Sequence, residues 1–130
     1  MDHQSNTTVY VSTQNDMFEF NQVLLRNLEE SGRLVDDANS ADNKLEIVSA
    51  KWQKRIASVG DDGVASEYTL SYRIIYNLDT GTKELSGQSI SAQQDYSYNR
   101  NQLLSVDSEE SQIKQSLSKQ LALRMLRVIK

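Results

Sequence analysis

The chain has no cysteine and no proline, and its one histidine is His3, three residues from the start. The first absence removes disulfides, zinc-thiolate centres and thiol nucleophiles. The second permits long uninterrupted strands and helices, because no residue lacks a backbone N–H. With the histidine in what should be a frayed end, general acid–base chemistry of the usual kind has no natural carrier. Long apolar runs are missing too: nothing approaches the roughly 18 residues that span a bilayer. The opening MDHQSNTTVYV has neither a basic n-region nor an apolar h-region. No G-x-S-x-G, P-loop or dinucleotide fingerprint occurs. Net positive charge is also absent; the balance is −4, which argues against a general nucleic-acid binder.

What remains is enough for one globular domain. The 130 residues are 38% hydrophobic and 25% charged, a composition that buries a core. We therefore read 1–130 as a single domain whose first seven residues are frayed. TVYVST, at 8–13, is a short β-branched strand. Asp16 and Glu19 form a helix-start pair, after which Met17, Phe20, Leu24 and Leu28 make an apolar stripe and Gly32 a C-cap. The first helix is thus expected over 16–31. A polar linker, DDANSADN, follows.

Next come two long strands. In LEIVSAKWQKRIASV the alternation predicts Val48, Ala50, Trp52 and Ile56 on one face. In ASEYTLSYRIIYNL, Tyr68, Leu70, Tyr72, Ile74, Tyr76 and Leu78 form an unbroken period-2 series. DTGTK is a second turn, and a weaker strand runs from Glu84 to about Tyr96. A last helix begins at an Asp107/Glu110 start pair and carries Ile113, Leu117, Leu121, Met125 and Val128 as its stripe. Its later charges are all basic, complementing the helix dipole. The order β-α-β-β-β-α predicts an α+β fold. Two helices cover one face of a four-stranded, largely antiparallel (mixed) sheet, and the other face stays open.

The connection between the long strands, within ASVGDDGVASEY, is constrained by parity. Paired residues share a face, so two apolar series of even number require an odd loop. Asp61-Asp62-Gly63 supplies it, as a type I turn closed by a left-handed glycine, with Gly60 pairing Val64. The same register sets Lys51 opposite Arg73, Gln53 near Ser71 and Arg55 near Thr69 on the open face. Like charges directly across a strand pair cost about 0.2–1 kcal/mol. The cluster Lys51, Arg55 and Arg73 is then either an anion-binding patch or a solvated face on which long side chains splay apart. Fourteen-residue strands reach about 46 Å, against a diameter of roughly 36 Å for a compact domain of this size, so the tip should project.

DDG invites a calcium reading, but an EF-hand loop needs alternate ligands and a glutamate at position twelve between helices. No metal site follows. Glu67 and Asp95 are more simply solvated strand charges than a catalytic pair. Tyr68, Tyr72 and Tyr76 suit a sheet–helix core better than a stacking platform. The sequence fits a binding or assembly module, not an enzyme, and implies no cofactor.

Three stretches resemble the lipopolysaccharide-assembly lipoprotein family LptE, also called rare lipoprotein B. ASVGDDGVASEY is similar to the family's ASV-x-x-x-G-x-x-AEY hairpin. QDYSYNRNQLLSVDSEESQI is similar to its aromatic segment leading through LL-A-x-D-x-E into the last helix. KQLALRMLRVI is similar to its Q-x-A-x-x-LLR-L ending. The resemblance implies a Gram-negative outer-membrane protein on the periplasmic side, held by an acylated N-terminal cysteine. It implies a plug inside the β-barrel protein LptD that assists barrel assembly and binds lipopolysaccharide on its way to the cell surface. A chain cut after the anchor would lack signal and cysteine, and an upstream lipobox is expected. Two departures matter: Asp61 and Asp62 stand where some members are basic, and Val106 where some carry lysine. Lipopolysaccharide phosphates would then fall to Lys51, Arg55 and Arg73, with Lys54 and Arg100 as second candidates. Partner contacts are expected from the tip (Gly60, Asp61, Asp62, Gly63) and from the segment with Tyr96, Tyr98, Leu103 and Leu104. The rival reading is a free-standing small-ligand binder with a pocket beneath Trp52, Tyr72 and Tyr76.

Overall fold

A computed structural model describes residues 7–13, 18–97 and 103–129. Along the chain lie β1 (Val9–Thr13), α1 (Phe18–Glu30), a single 3-10 turn (Ala38–Ser40), β2 (Asn43–Val59), β3 (Ala65–Asp79), β4 (Glu84–Ser97) and α2 (Leu103–Val128). The sheet order is β1-β2-β3-β4, with β1 parallel to β2 and the other pairs antiparallel. This is the expected mixed sheet in the expected order. The parallel placement of β1 needs a crossover, and α1 provides it.

Each helix forms around its apolar stripe. Phe20, Leu24 and Leu28 of α1 are fully buried, at the i, i+4 spacing that aligns side chains on one face. Its end is a Schellman motif: Gly32 sits at φ 72°, its N–H donating to the Glu29 carbonyl and that of Arg33 to the Leu28 carbonyl. The chain then returns beside β1, where Val9 exchanges backbone hydrogen bonds with Arg33 and Val35. Asp16 and Met17, at the expected start of the helix, lie outside the described residues. Thr7, expected in the frayed end, accepts hydrogen bonds from Arg33 and Asn43.

The largest correction falls on β2. The ladder with β3 slips by one residue between Ile47 and Ser49, leaving Val48 as a bulge. A one-residue insertion exchanges the faces of everything beyond it. Leu45 and Ile47 therefore point into the core at 1% and 0% exposure, while Ala50 and Trp52, of opposite parity, pack against that same core. Val48 is not the inward residue that simple alternation predicts. On β3 the alternation is unbroken, and Leu70, Tyr72, Ile74, Tyr76 and Leu78 are all buried.

α2 begins at Leu103, four residues ahead of the expected Asp107 start. Its buried side is Ile113, Leu117, Leu121, Ala122 and Met125, with Ile129 closing the stripe in place of the half-buried Val128. Complete burial of one such aliphatic side chain is worth about 1.5–3 kcal/mol. Leu121 is fully buried and Leu123, two residues on, is 40% exposed. Leu121→Ala should therefore lower unfolding free energy by about 2–5 kcal/mol in urea titrations. Leu123→Ala should stay within about 0.5 kcal/mol of the parent. Equal losses would mean that α2 packs by another face.

Candidate functional site

The β2–β3 hairpin carries most of the expected functional residues, and its geometry matches the parity argument. Gly60 N–H donates to the Val64 carbonyl at 2.9 Å and Gly63 N–H to the Gly60 carbonyl at 3.0 Å. Gly63 sits at φ 78°, which only glycine adopts without strain. Asp61, Asp62 and Gly63 are thus the three loop residues. The acids differ in role. Asp62 Oδ1 accepts from the Val64 N–H at 3.0 Å and closes the turn, whereas Asp61 is exposed and makes no hydrogen bond among the described residues. Asx-type bonding of this kind is a known habit of aspartate in turns, and sequence reading alone missed it.

The hairpin outruns the core. Past Ile47 no residue of β2 is fully buried, and Ile56 and Val59 are 61% and 58% exposed. Further register shifts between Ile56 and Val59 break the ladder near the tip, increasing local twist. The stem is held from the helix side by α2. Lys54 Nζ lies 2.7 Å from Glu110 Oε1, and the Tyr96 hydroxyl donates to the same carboxylate oxygen. Lys54 also lies 4.4 Å from the Tyr68 ring centroid, a cation–π distance. Further from the tip, Trp52 stacks on Tyr72 with centroids 3.8 Å apart, and Lys114 of α2 approaches the indole at 5.6 Å.

That arrangement redistributes the expected residues. Lys51, Arg55 and Arg73 are exposed together on the open face, with Lys51 directly opposite Arg73 and Arg55 opposite Thr69. None of the three has an ion pair or hydrogen bond among the described residues. Lys54 is on the other face, engaged by Glu110, so it does not join the cluster. Tyr96, expected on an exposed contact segment, is 5% exposed because its ring packs beneath α2 beside Tyr68. Tyr98 and Arg100 lie outside the described residues; Leu103 and Leu104 open α2, and their side chains are likewise outside them. The pocket imagined beneath Trp52, Tyr72 and Tyr76 is filled by the ring stack, Tyr72 and Tyr76 being 3% and 5% exposed. A groove of about 250 Å³ does exist, but elsewhere. It lies at the end of the sheet away from the tip, lined by residues including Tyr10, Ser12, Lys44, Glu46, Asn77 and Leu85.

The model of the LptE lipopolysaccharide-assembly family matches residues 6–129. The chain belongs to the LptE family. No curated protein matches it. Solved structures do. Rare lipoprotein B from Shewanella oneidensis aligns at TM-score 0.83 and 20% identity, covering 93% of this chain and 92% of that one. Lipoprotein B from Nitrosomonas europaea aligns at 0.79 and 23%, covering 98% and 86%. A minor lipoprotein from Acinetobacter baumannii aligns at 0.76 and 15%, covering 96% and 91%. At these identities the structures speak for the fold, and the LptE family assignment rests on the family model. Among the described residues no helix is long and apolar enough to cross a membrane.

The Glu110 cluster gives a pH test. Burial pushes the Glu110 carboxyl up, but hydrogen bonds from Lys54 and Tyr96 and the charges of Lys54 and Lys114 pull it down, leaving it below its ordinary value of 4.5. A depressed carboxyl stabilises the fold above its unfolded value, and that contribution is lost as pH falls through the folded one. Lys54 is raised, chiefly by the Glu110 hydrogen bond. Burial, then its bond to Glu110, pushes Tyr96 up to about 12. Contributions from raised groups hold at neutral pH and fade above about pH 10. Glu110→Gln should therefore flatten the loss of stability on the acid side of about pH 4.5, measured as urea midpoint against pH. An unchanged acid limb would show that the carboxylate does not hold the hairpin stem.

Proposed function

We propose that this chain is a non-enzymatic lipopolysaccharide-assembly lipoprotein of the outer membrane. In this reading it sits on the periplasmic side, held by an N-terminal lipid anchor. It acts as a plug-like partner of the β-barrel protein LptD, assisting barrel assembly and lipopolysaccharide delivery. The observation that carries the reading is the family match, which runs over 6–129, essentially the whole domain. Two structural features support it. The exposed hairpin tip, with Ile56 and Val59 in the open, is an element that gains by being enclosed. Lys51, Arg55 and Arg73, without an ion pair among the described residues, give the open face an affinity for an anionic ligand.

The partner reading is tested by co-purification with LptD. The parent should be recovered with the barrel, and Asp61→Lys combined with Asp62→Asn should reduce recovery. Asparagine keeps the side-chain acceptor that closes the turn, so a loss reports on the tip's charge rather than its shape. Normal recovery would remove the tip from the interface. The ligand reading is tested with purified lipopolysaccharide. Replacing Lys51, Arg55 and Arg73 together by glutamine should weaken binding and flatten its salt dependence, since each lost cation removes counterion release. Unchanged binding in the triple variant would rule out the open face.

A further inference from the structure

We infer that the open face is a two-station site for a headgroup carrying two phosphates at the ends of a disaccharide. One phosphate lies on Lys51 and Arg73 and the other on Arg55. The inference rests on the lipopolysaccharide part of the proposed function and assigns that ligand a place and an orientation.

The stations are held in fixed relation. Between the bulges at Val48 and Ala57 the ladder runs without a slip, from Ser49 opposite Ile75 to Ile56 opposite Tyr68. Lys51 and Arg55 are four residues apart on that rigid stretch, on one face, hence about 13 Å apart at 3.3 Å per residue. Arg73 stands directly across from Lys51. One station therefore has two cations and the other has one. A single point anion would use only the first. A ligand must be extended and doubly charged to use both.

The surface between the stations is neutral and polar. Gln53 pairs with Ser71, and Ser71 with Gln93, so amides and a hydroxyl line the path. The Ser71 hydroxyl is spent only on a long 3.4 Å bond to the Gln53 carbonyl, and neither glutamine amide has a partner among the described residues. These donors and acceptors suit sugar hydroxyls and offer nothing to an acyl chain. The far boundary is acidic. Asp95 stands in the same row as Arg55, across Thr69, whose hydroxyl donates to it at 2.5 Å. Glu67 is exposed one step nearer the tip. Glu67 thus opposes sliding of an anion from Arg55 toward the tip, and Asp95 borders that station on the β4 side. Two nearby described cations are engaged elsewhere: Lys54 is held by Glu110, and Arg124 donates to the Ser91 carbonyl from α2.

The test uses the folded chain with bis-phosphorylated lipid A, monophosphorylated lipid A, and their water-soluble deacylated disaccharides. The parent should prefer the bis-phosphorylated form about tenfold, the worth of one charge-assisted contact. Arg55→Gln should erase the preference while leaving monophosphoryl binding unchanged. Lys51→Gln/Arg73→Gln should weaken both. Melting curves check that the exposed substitutions leave the fold intact. The deacylated pair should show the same preference, which separates headgroup recognition from acyl capture. Equal affinity of the parent for the two forms would overturn the two-station site and leave lipopolysaccharide binding standing. So would a loss with Arg55→Gln that is the same for both, or a preference seen only with acylated forms. If the parent binds neither lipid A, the ligand half of the proposed function falls as well.

Discussion

The constraint on which the rest of the molecule depends is the register of β2 against β3. These two strands form the longest ladder; β1 and β4 extend its two edges, and α2 packs across one of its faces. The bulge at Val48 lets odd-numbered Leu45 and Ile47 and even-numbered Ala50 and Trp52 serve one core. Were the insertion removed, either the base or the middle of β2 would turn its apolar side chains to water. The same phase assigns Lys51 and Arg55 to the open face and Lys54 to α2. Charge placement is thus a by-product of strand parity, decided many residues away.

Around that ladder the domain divides into a tightly packed base and a less buried stem. The base holds Phe20, Leu24, Leu28, Ile47, Ile74, Leu117, Leu121 and Met125, all fully buried. In the stem, burial gives way to stacked rings and a few polar ties from α2. These contacts tie the stem to α2 without burying it. The ties bridge distant parts of the chain: Lys54 and Glu110 are 56 residues apart.

Much of this was legible in the sequence. The alternation on β3 is long enough that no helical reading competes, and parity alone forces the odd loop at Asp61-Asp62-Gly63. Gly32 announces the end of α1 because a left-handed cap requires it. The failures have equally definite causes. Val48 and Ser49 look like any other alternating pair, so the bulge leaves no local mark and shows itself only through the burial of Leu45 and Ile47. Asp107 and Glu110 imitate a capping box, but Glu110 belongs to Lys54 and Tyr96 across space, and the helix starts earlier. Tyr96 reads as a surface aromatic because nothing near it in sequence reveals that α2 lies over it. The cationic cluster was legible because strand register is computable from turn length; its lack of partners among the described residues was not, since that depends on where the acids end up.

The parallel pairing of β1 has a consequence for reach. Val9 stands beside Asn43, the first residue of β2, so the described chain enters the domain at the end opposite the turn. The 17 residues of β2 separate that entry from the acidic tip, roughly 56 Å if fully extended and less with twist. Any tether attached upstream would hold the base, leaving Asp61 at the far end of a stiff arm. Strand length therefore fixes how far the acidic tip stands from the point where the described chain enters the domain.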